Sequence, residues 1–301
     1  MQSLQTIMTI LLPLFIGFCF KVPKGCLKRL EQFLNYLVYA ILLLIGMGLA
    51  QTENLFQELN NIVFYALFLF VLLMLCNVAA LWAFDVYTRQ RHVQAAQNVQ
   101  GKFNFADSAK QIAILILGVI LGFRLPENAL PPHDAGLYAL MMLIFVVGIL
   151  LRGNGISLKQ VILNQYGMQI SVVMMLSSAL AGAIFAAVLD DVSWSKGLAL
   201  ASGYGWYSLS GIVMTQAYGA TWGSVALLND LLREFFALAF IPLLMRRSAA
   251  AAIGVGGATS LDFTLPIIQK SGGLAVVPVA ISFGFIVNVA APLLMVVWVA
   301  M

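Results

Sequence analysis

From about Thr221 to Met245 the chain carries an apolar run of the length that spans a membrane as a helix. Near its middle stand Asn229, Asp230, Arg233 and Glu234. Charges at that depth are costly, and those that persist face a cavity or a partner rather than lipid. At helical spacing Asp230 and Glu234 fall within about 40° of each other, with Arg233 about 60° to the other side. Ala226, Ala237 and Ile241 share that face, so a neighbouring backbone or a ligand can come close. A further acid, Asp262, follows the Gly-rich stretch Gly254-Val255-Gly256-Gly257. Whatever this chain folds into must carry these acids to membrane depth.

The rest of the sequence fits that demand. Of 301 residues, 62% are hydrophobic and 9% charged, where soluble domains carry roughly 25% charged residues. The expectation is an all-α polytopic membrane protein, one transmembrane transporter domain over 1–301. The net charge of +4 sits in short loops between apolar runs and is no signal for nucleic acid. Cys19, Cys26 and Cys76 show no CxxC spacing, and His92 and His133 fall in loops without an HExxH pair. No metal and no cofactor is expected. No Lys or Arg precedes the first run, which ends in Phe20-Lys21-Val22-Pro23, so it reads as a retained span rather than a cleaved signal.

Apolar runs lie near 3–20, 33–50, 61–84, 111–123, 136–151, 168–189, 224–245 and 275–300. Loops after the first, third and fifth carry Lys21, Lys24, Lys28, Arg29, then Arg89, Arg91, Lys102, Lys110, then Arg152 and Lys159. Loops after the second, fourth and sixth hold mainly acids. The basic loops are expected inside, which puts the N-terminus outside. Arg246 and Arg247 belong inside as well, which requires residues 197–223 to enter and return rather than cross. Ser202-Gly203-Tyr204-Gly205-Trp206-Tyr207-Ser208-Leu209-Ser210-Gly211 is too polar and Gly-rich for a lipid-facing helix, and such backbone survives at depth only when buried or lining a wet cavity. Residues 253–272 have the same character. The expectation is eight transmembrane helices plus two re-entrant segments, with both termini outside. The alternative is ten spans with two broken helices.

Weak internal symmetry suggests a transporter plan. Residues 43–49 echo 145–151 at an offset of 102. Each copy contains three of the six spans in 1–190, so the copies would be inverted. Ser208-Leu209-Ser210 echoes Ser260-Leu261-Asp262 within the remaining 197–301. Inverted repeats with interrupted helices point to a midplane substrate site.

Asp230 and Arg233 either form an internal ion pair that only fixes helix packing, which leaves Glu234 and Asp262 as surplus acids, or join those two acids in substrate binding and proton coupling. A carboxylate that exchanges a proton for an ammonium is what a proton-coupled carrier of cations needs. The Gly-rich segments have a plain reading as close helix packing. They also offer freed backbone N–H groups that suit a carboxylate. Ser208, Ser210, Thr259, Ser260 and Asn229 add polar groups, and Trp206 and Tyr207 could contact a ligand. Acids together with free donors match a zwitterionic amino acid with an extra ammonium better than a bare metal ion.

The stretches 201–211, Asn229–Glu234 and Gly257–Pro266, with Arg152-Gly153-Asn154-Gly155 and Leu158-Lys159-Gln160 upstream, resemble the LysO-type lysine exporter family of bacterial inner membranes. The resemblance implies export of L-lysine, with toxic lysine analogues as further substrates, and assigns the functional intramembrane acids to Glu234 and Asp262. The partners expected are L-lysine, from the resemblance, then the lipid bilayer and protons, from the apolar spans and the intramembrane acids, with a homo-oligomer left open.

Lysine leaves as a net +1 ion against an inside-negative potential, at about 2.3 kcal/mol per charge per 100 mV. Exchange for one entering proton cancels that charge movement. A monovalent-cation/proton antiporter could use the same acids. An intramembrane hydrolase fits poorly. Both histidines lie in loops, and Asp262 follows Thr259-Ser260-Leu261 rather than the Gly-x-Gly of presenilin-type sites. The chain is therefore read as a transporter and not as an enzyme.

Overall fold

The computed structural model describes residues 12–13, 16–20, 22–50, 55–88, 105–126, 130–132, 135–153, 164–261 and 263–301. They form an all-α assembly with no strand among the described residues. Long helices α1 (Lys24–Ala50), α2 (Leu55–Thr88), α3 (Phe105–Arg124), α4 (Ala135–Gly153) and α5 (Gln165–Val188) come first. Short helices α6 (Trp194–Ala201) and α7 (Tyr207–Tyr218) follow, then long α8 (Ala220–Met245). Next are α9 (Ala249–Gly256), a 3-10 turn (Gly257–Leu261), α10 (Leu265–Gly272), a second 3-10 turn (Leu274–Val276) and α11 (Val277–Val299). Segments of α1, α2, α5 and α11 are long and apolar enough to cross a membrane. The first predicted span lies mostly outside the described residues.

In hydrocarbon the apolar effect cannot sort helices, so close backbone approach at small residues does. Gly118 and Gly122 of α3 lie against Leu43, Gly46 and Met47 of α1, where an added Cβ would sit 2.4 and 2.8 Å from the backbone oxygens of Leu43 and Met47. Gly182 of α5 and Gly197 of α6 press each on the other's carbonyl, 2.5 Å from an added Cβ. Polar pairs then fix the register of antiparallel α2 and α5. Tyr65 donates to Asp191, Ser177 and Ser178 donate to Asn77, and Tyr166 donates to Asp85. Leu67, Leu75, Leu176 and Leu180 point outward from the same two helices, as lipid-facing side chains do.

The two Gly-rich segments each double back. The hydroxyls of Ser195, at the start of α6, and Tyr218, at the end of α7, lie 3.4 Å apart. Beside them the Lys196 ammonium stands 4.2 Å from the Trp222 ring. Residues 194–218 therefore form a helical hairpin whose open end lies at the N-terminus of α8. In the second segment, a Cβ on Gly272 would be 2.9 Å from the Met245 sulfur, so α10 ends where α8 ends. The hairpin of 249–272 thus opens at the C-terminus of α8, and the two hairpins approach from opposite ends. Of the echoed stretches, 208–210 lie in the first turn of α7, Ser260 and Leu261 lie in the 3-10 turn, and Asp262 is outside the described residues.

Gly182→Ala should lower the melting temperature of the detergent-purified protein, because its Cβ meets a carbonyl with nowhere to yield, a strain of about 1–3 kcal/mol. Gly48→Ala, with nothing within 4 Å, should melt within a degree or so of the parent on the ordinary scale of open-site changes.

Candidate functional site

The hairpin tips meet beside the middle of α8. Tyr204 takes a left-handed conformation (φ 51°) and Gly205 follows at φ 87°, which reverses the chain between α6 and α7. At the second tip Gly257 has φ 57° and opens the 3-10 turn. The N–H of Ala258 donates to the carbonyl of Tyr204 at 2.8 Å and joins the tips directly. A Cβ on Gly257 would fall 2.1 Å from that same carbonyl oxygen, so glycine is required there for conformation and for space.

Broken helices leave backbone groups unpaired, and water is not available to satisfy them at depth. The charges of α8 fill this role. Asp230 accepts from the N–H of Gly205 at 3.2 Å, the hydroxyl of Ser210 at 2.5 Å and the amide of Asn229 at 3.0 Å. Its carboxylate thus sits at the first tip, against the first turn of α7, where a helix carries partial positive charge. Arg233 donates through Nε to the carbonyl of Val255 at 3.1 Å and through Nη2 to that of Gly254 at 2.8 Å. These are the last carbonyls of α9, the negative end of that helix. Asp230 and Arg233 are each 1% exposed and direct their hydrogen bonds to opposite hairpins. Hydrogen bonds to hairpin backbone thus engage each of them, beside the attraction between the two opposite charges.

The remaining predicted residues distribute around this junction. Glu234 is 4% exposed, one turn beyond Asp230. Ala226, Ala237 and Ile241 on that face are buried, so it is packed rather than open. Asp262 lies outside the described residues. Ser210 touches Asp230, and Asn229 is buried with its Oδ1 lacking a hydrogen-bond partner. Ser260 donates to the carbonyl of Ile253 at 2.7 Å and Thr259 to that of Gly256 at 2.8 Å, so both stitch the second tip to α9. Ser208 is buried in the first turn of α7, with Trp206 and Tyr207 half-buried at its start.

Two polar residues that hold the second hairpin lie outside the charged and Gly-rich stretches that mark the site in the sequence. Asn288 of α11 donates to the carbonyls of Ala258 and Gly284, both at 2.7 Å, and clamps the second tip from behind. Asp85 stands one residue past the predicted run of α2. It accepts from Ser248 at 2.5 Å and from the N–H of Ala250 at 3.0 Å, and so caps α9. A lone amide in an apolar run, and an acid at its end, were the available signals.

Two cavities open between the helices. A groove of about 530 Å³ runs between α2 and the α8–α9 corner, lined by Met74, Trp82, Phe236 and Leu244 among others. A smaller one of about 130 Å³ lies between α1, α4 and α7. Neither is lined by Asp230, Arg233 or Glu234, so neither of these openings reaches the charged junction.

Opposed broken-helix hairpins meeting at buried charges in a polytopic helical membrane protein are the kind of architecture found in secondary transporters. A family profile described as "Lysine exporter LysO" matches residues 112–299. Over 290 residues the chain is 40% identical to the lysine exporter LysO of Escherichia coli, covering 96% of this chain and 97% of that protein. It is also 49% identical over 185 residues to a relative from Haemophilus influenzae, covering 62% of this chain and 94% of the relative. No solved structure matches. The chain belongs to the lysine exporter LysO family.

Gly257→Ala should destabilise the purified protein by about 1–3 kcal/mol through backbone strain alone, with further loss from the carbonyl it strikes. Gly273→Ala, also at positive φ (78°) but with nothing within 4 Å, isolates the strain term. Thermal melts of the two variants side by side give the difference, and equal melts would show that the tip contact contributes nothing.

Proposed function

We propose that the protein exports L-lysine across the bacterial inner membrane in exchange for protons, with Glu234 and Asp262 as the acids that bind the cargo. The observation that carries this reading is a carboxylate, Glu234, buried at 4% exposure on the helix where the two hairpin tips converge. Family membership supports lysine as the cargo and extends the range to toxic lysine analogues. In this reading both hairpins enter the membrane and return, the first from outside and the second from inside. The pair Arg246 and Arg247 is then cytoplasmic and both termini are periplasmic, as the charge bias of the loops favours.

The division of labour follows from the hydrogen bonds. Asp230 and Arg233 hold backbone groups of the hairpins and are positioning residues. Glu234 and Asp262 are the acids assigned to exchange ligands. On the cytoplasmic side the ionised acids take the ammonium groups of lysine. Protonation from outside removes the charge that held the cargo, and lysine leaves. In a 1:1 cycle one of the two acids exchanges a proton, so that acid is accompanied by an ammonium or by a proton rather than standing alone in a low-dielectric interior. One lysine out for one proton in then moves no net charge, so the membrane potential neither drives nor opposes the cycle. A transporter of this kind performs no bond chemistry, and no cofactor enters the scheme.

Lysine efflux from dipeptide-loaded cells should fall about tenfold or more in Glu234→Gln and in Asp262→Asn, at matched expression, on the scale of losing one partner of a buried charge pair. Normal efflux by both variants would remove the assignment. In proteoliposomes an imposed pH gradient should drive lysine, whereas a potassium-diffusion potential should leave the rate unchanged. Transport of sodium or potassium indifferent to lysine would favour a monovalent-cation antiporter instead.

A further inference from the structure

The larger groove, of about 530 Å³ between α2 and the α8–α9 corner, is not used by anything described so far. Its wall on α2 is one stripe at helical spacing, Phe70, Met74, Val78 and Trp82. Phe236 of α8 closes the far end against Phe70, with ring centroids 5.9 Å apart. Trp82, Arg247 and Ser248 form the mouth. That end is fixed because the hydroxyl of Ser248 donates to Asp85, three residues past Trp82 on α2. From Trp82 to Phe70 the stripe covers twelve residues, about 18 Å at the rise of a helix. Half of a bilayer's hydrocarbon is about 15 Å thick. The groove therefore has the depth of a single leaflet.

The two ends of the groove differ in kind. Among the described residues that line it, Arg247 alone is charged. Arg246 and Arg247 are both exposed, and neither guanidinium has a hydrogen bond or an ion pair with a described residue. Elsewhere the cations are engaged, Arg233 by the carbonyls of α9 and Lys196 by the Trp222 ring. The acid at this corner is committed too. Asp85 is 9% exposed and accepts from Tyr166, Ser248 and the N–H of Ala250. Trp82, 54% exposed at the same mouth as Arg247, is a residue type that marks the boundary between membrane and water. An open guanidinium above an apolar slot one leaflet deep complements a molecule with an anionic head and a long hydrocarbon tail.

We propose that this groove holds one acyl chain of an anionic phospholipid, with the lipid phosphate on Arg247. A guanidinium matches phosphate oxygens through paired N–H donors. Basic side chains at the end of a groove between membrane helices select anionic headgroups over neutral ones. In the orientation proposed above the lipid comes from the cytoplasmic leaflet. The site is separate from the charged junction and does not rest on the identity of the cargo.

Native mass spectrometry of the detergent-purified full-length protein tests this, with phosphatidylglycerol and phosphatidylcholine of identical dioleoyl chains as the probes. The parent should hold phosphatidylglycerol about fivefold more tightly than phosphatidylcholine, the scale of one basic residue acting on an anionic lipid. Arg247→Gln should bring the two affinities within about twofold of each other, and Arg247→Lys, which keeps the charge, should retain most of the preference. Ala79→Trp fills the groove from an exposed position and leaves Arg247 in place, so the held lipid should be lost. That variant carries the test if the arginine variants do not fold. Equal affinity of the parent for the two lipids, an unchanged preference in Arg247→Gln, or a lipid still held by Ala79→Trp would each overturn the proposal. A parent that purifies as a dimer and turns monomeric in Ala79→Trp would overturn it as well, by placing a second copy in the groove. Lysine efflux is a separate measurement, so failure here leaves the transport reading standing.

Discussion

Two helices interrupted inside an apolar interior expose backbone donors and acceptors that no water is there to meet. The structure depends on how α8 meets them. One carboxylate and one guanidinium, three residues apart, each take a different hairpin tip. The sign of each charge opposes the partial charge of the helix end it serves. An acid at the N-terminal side of α7 and a cation at the C-terminal side of α9 are therefore mutually consistent. Exchanging them would set like against like at both tips. Buried charges of this kind are expensive alone and tolerable when hydrogen bonds absorb them.

The hydrogen bond from Ala258 to Tyr204 would not by itself hold two hairpins together. It is framed by Asp230 and Arg233 on one side and by Asn288 on the other. The second hairpin is anchored again at its base, where Asp85 and Ser248 cap α9 and Tyr166 binds the same carboxylate. Asp85 thus ties α2, α5 and α9 at one point. Polar groups fix register in this interior and small residues set spacing. Leucine-rich outer faces add neither, because lipid is as apolar as they are.

In the proposed cycle support and exchange fall to different side chains. Asp230 and Arg233 have their hydrogen bonds directed to backbone that cannot leave without unfolding a tip. Side chains so committed are poor candidates for binding and releasing a cargo on every cycle. Glu234 lies one turn away on the same face and is just as deeply buried.

Much of this was legible in the sequence because hydropathy and charge are local properties. The apolar runs, the helix carrying Asn229–Glu234 and the polar, Gly-rich breaks near 202–211 and 254–262 follow from residue type and spacing alone. Which chain ends come together is a different kind of fact. That Tyr218 returns to Ser195, and Gly272 to Met245, depends on contacts between segments that no window of the sequence contains. For the same reason the sequence left Asp230 and Arg233 as a plausible ion pair. Their spacing on one helix is fixed by its 100° turn, but only the tertiary structure supplies the two backbone tips to which each of them also hydrogen-bonds.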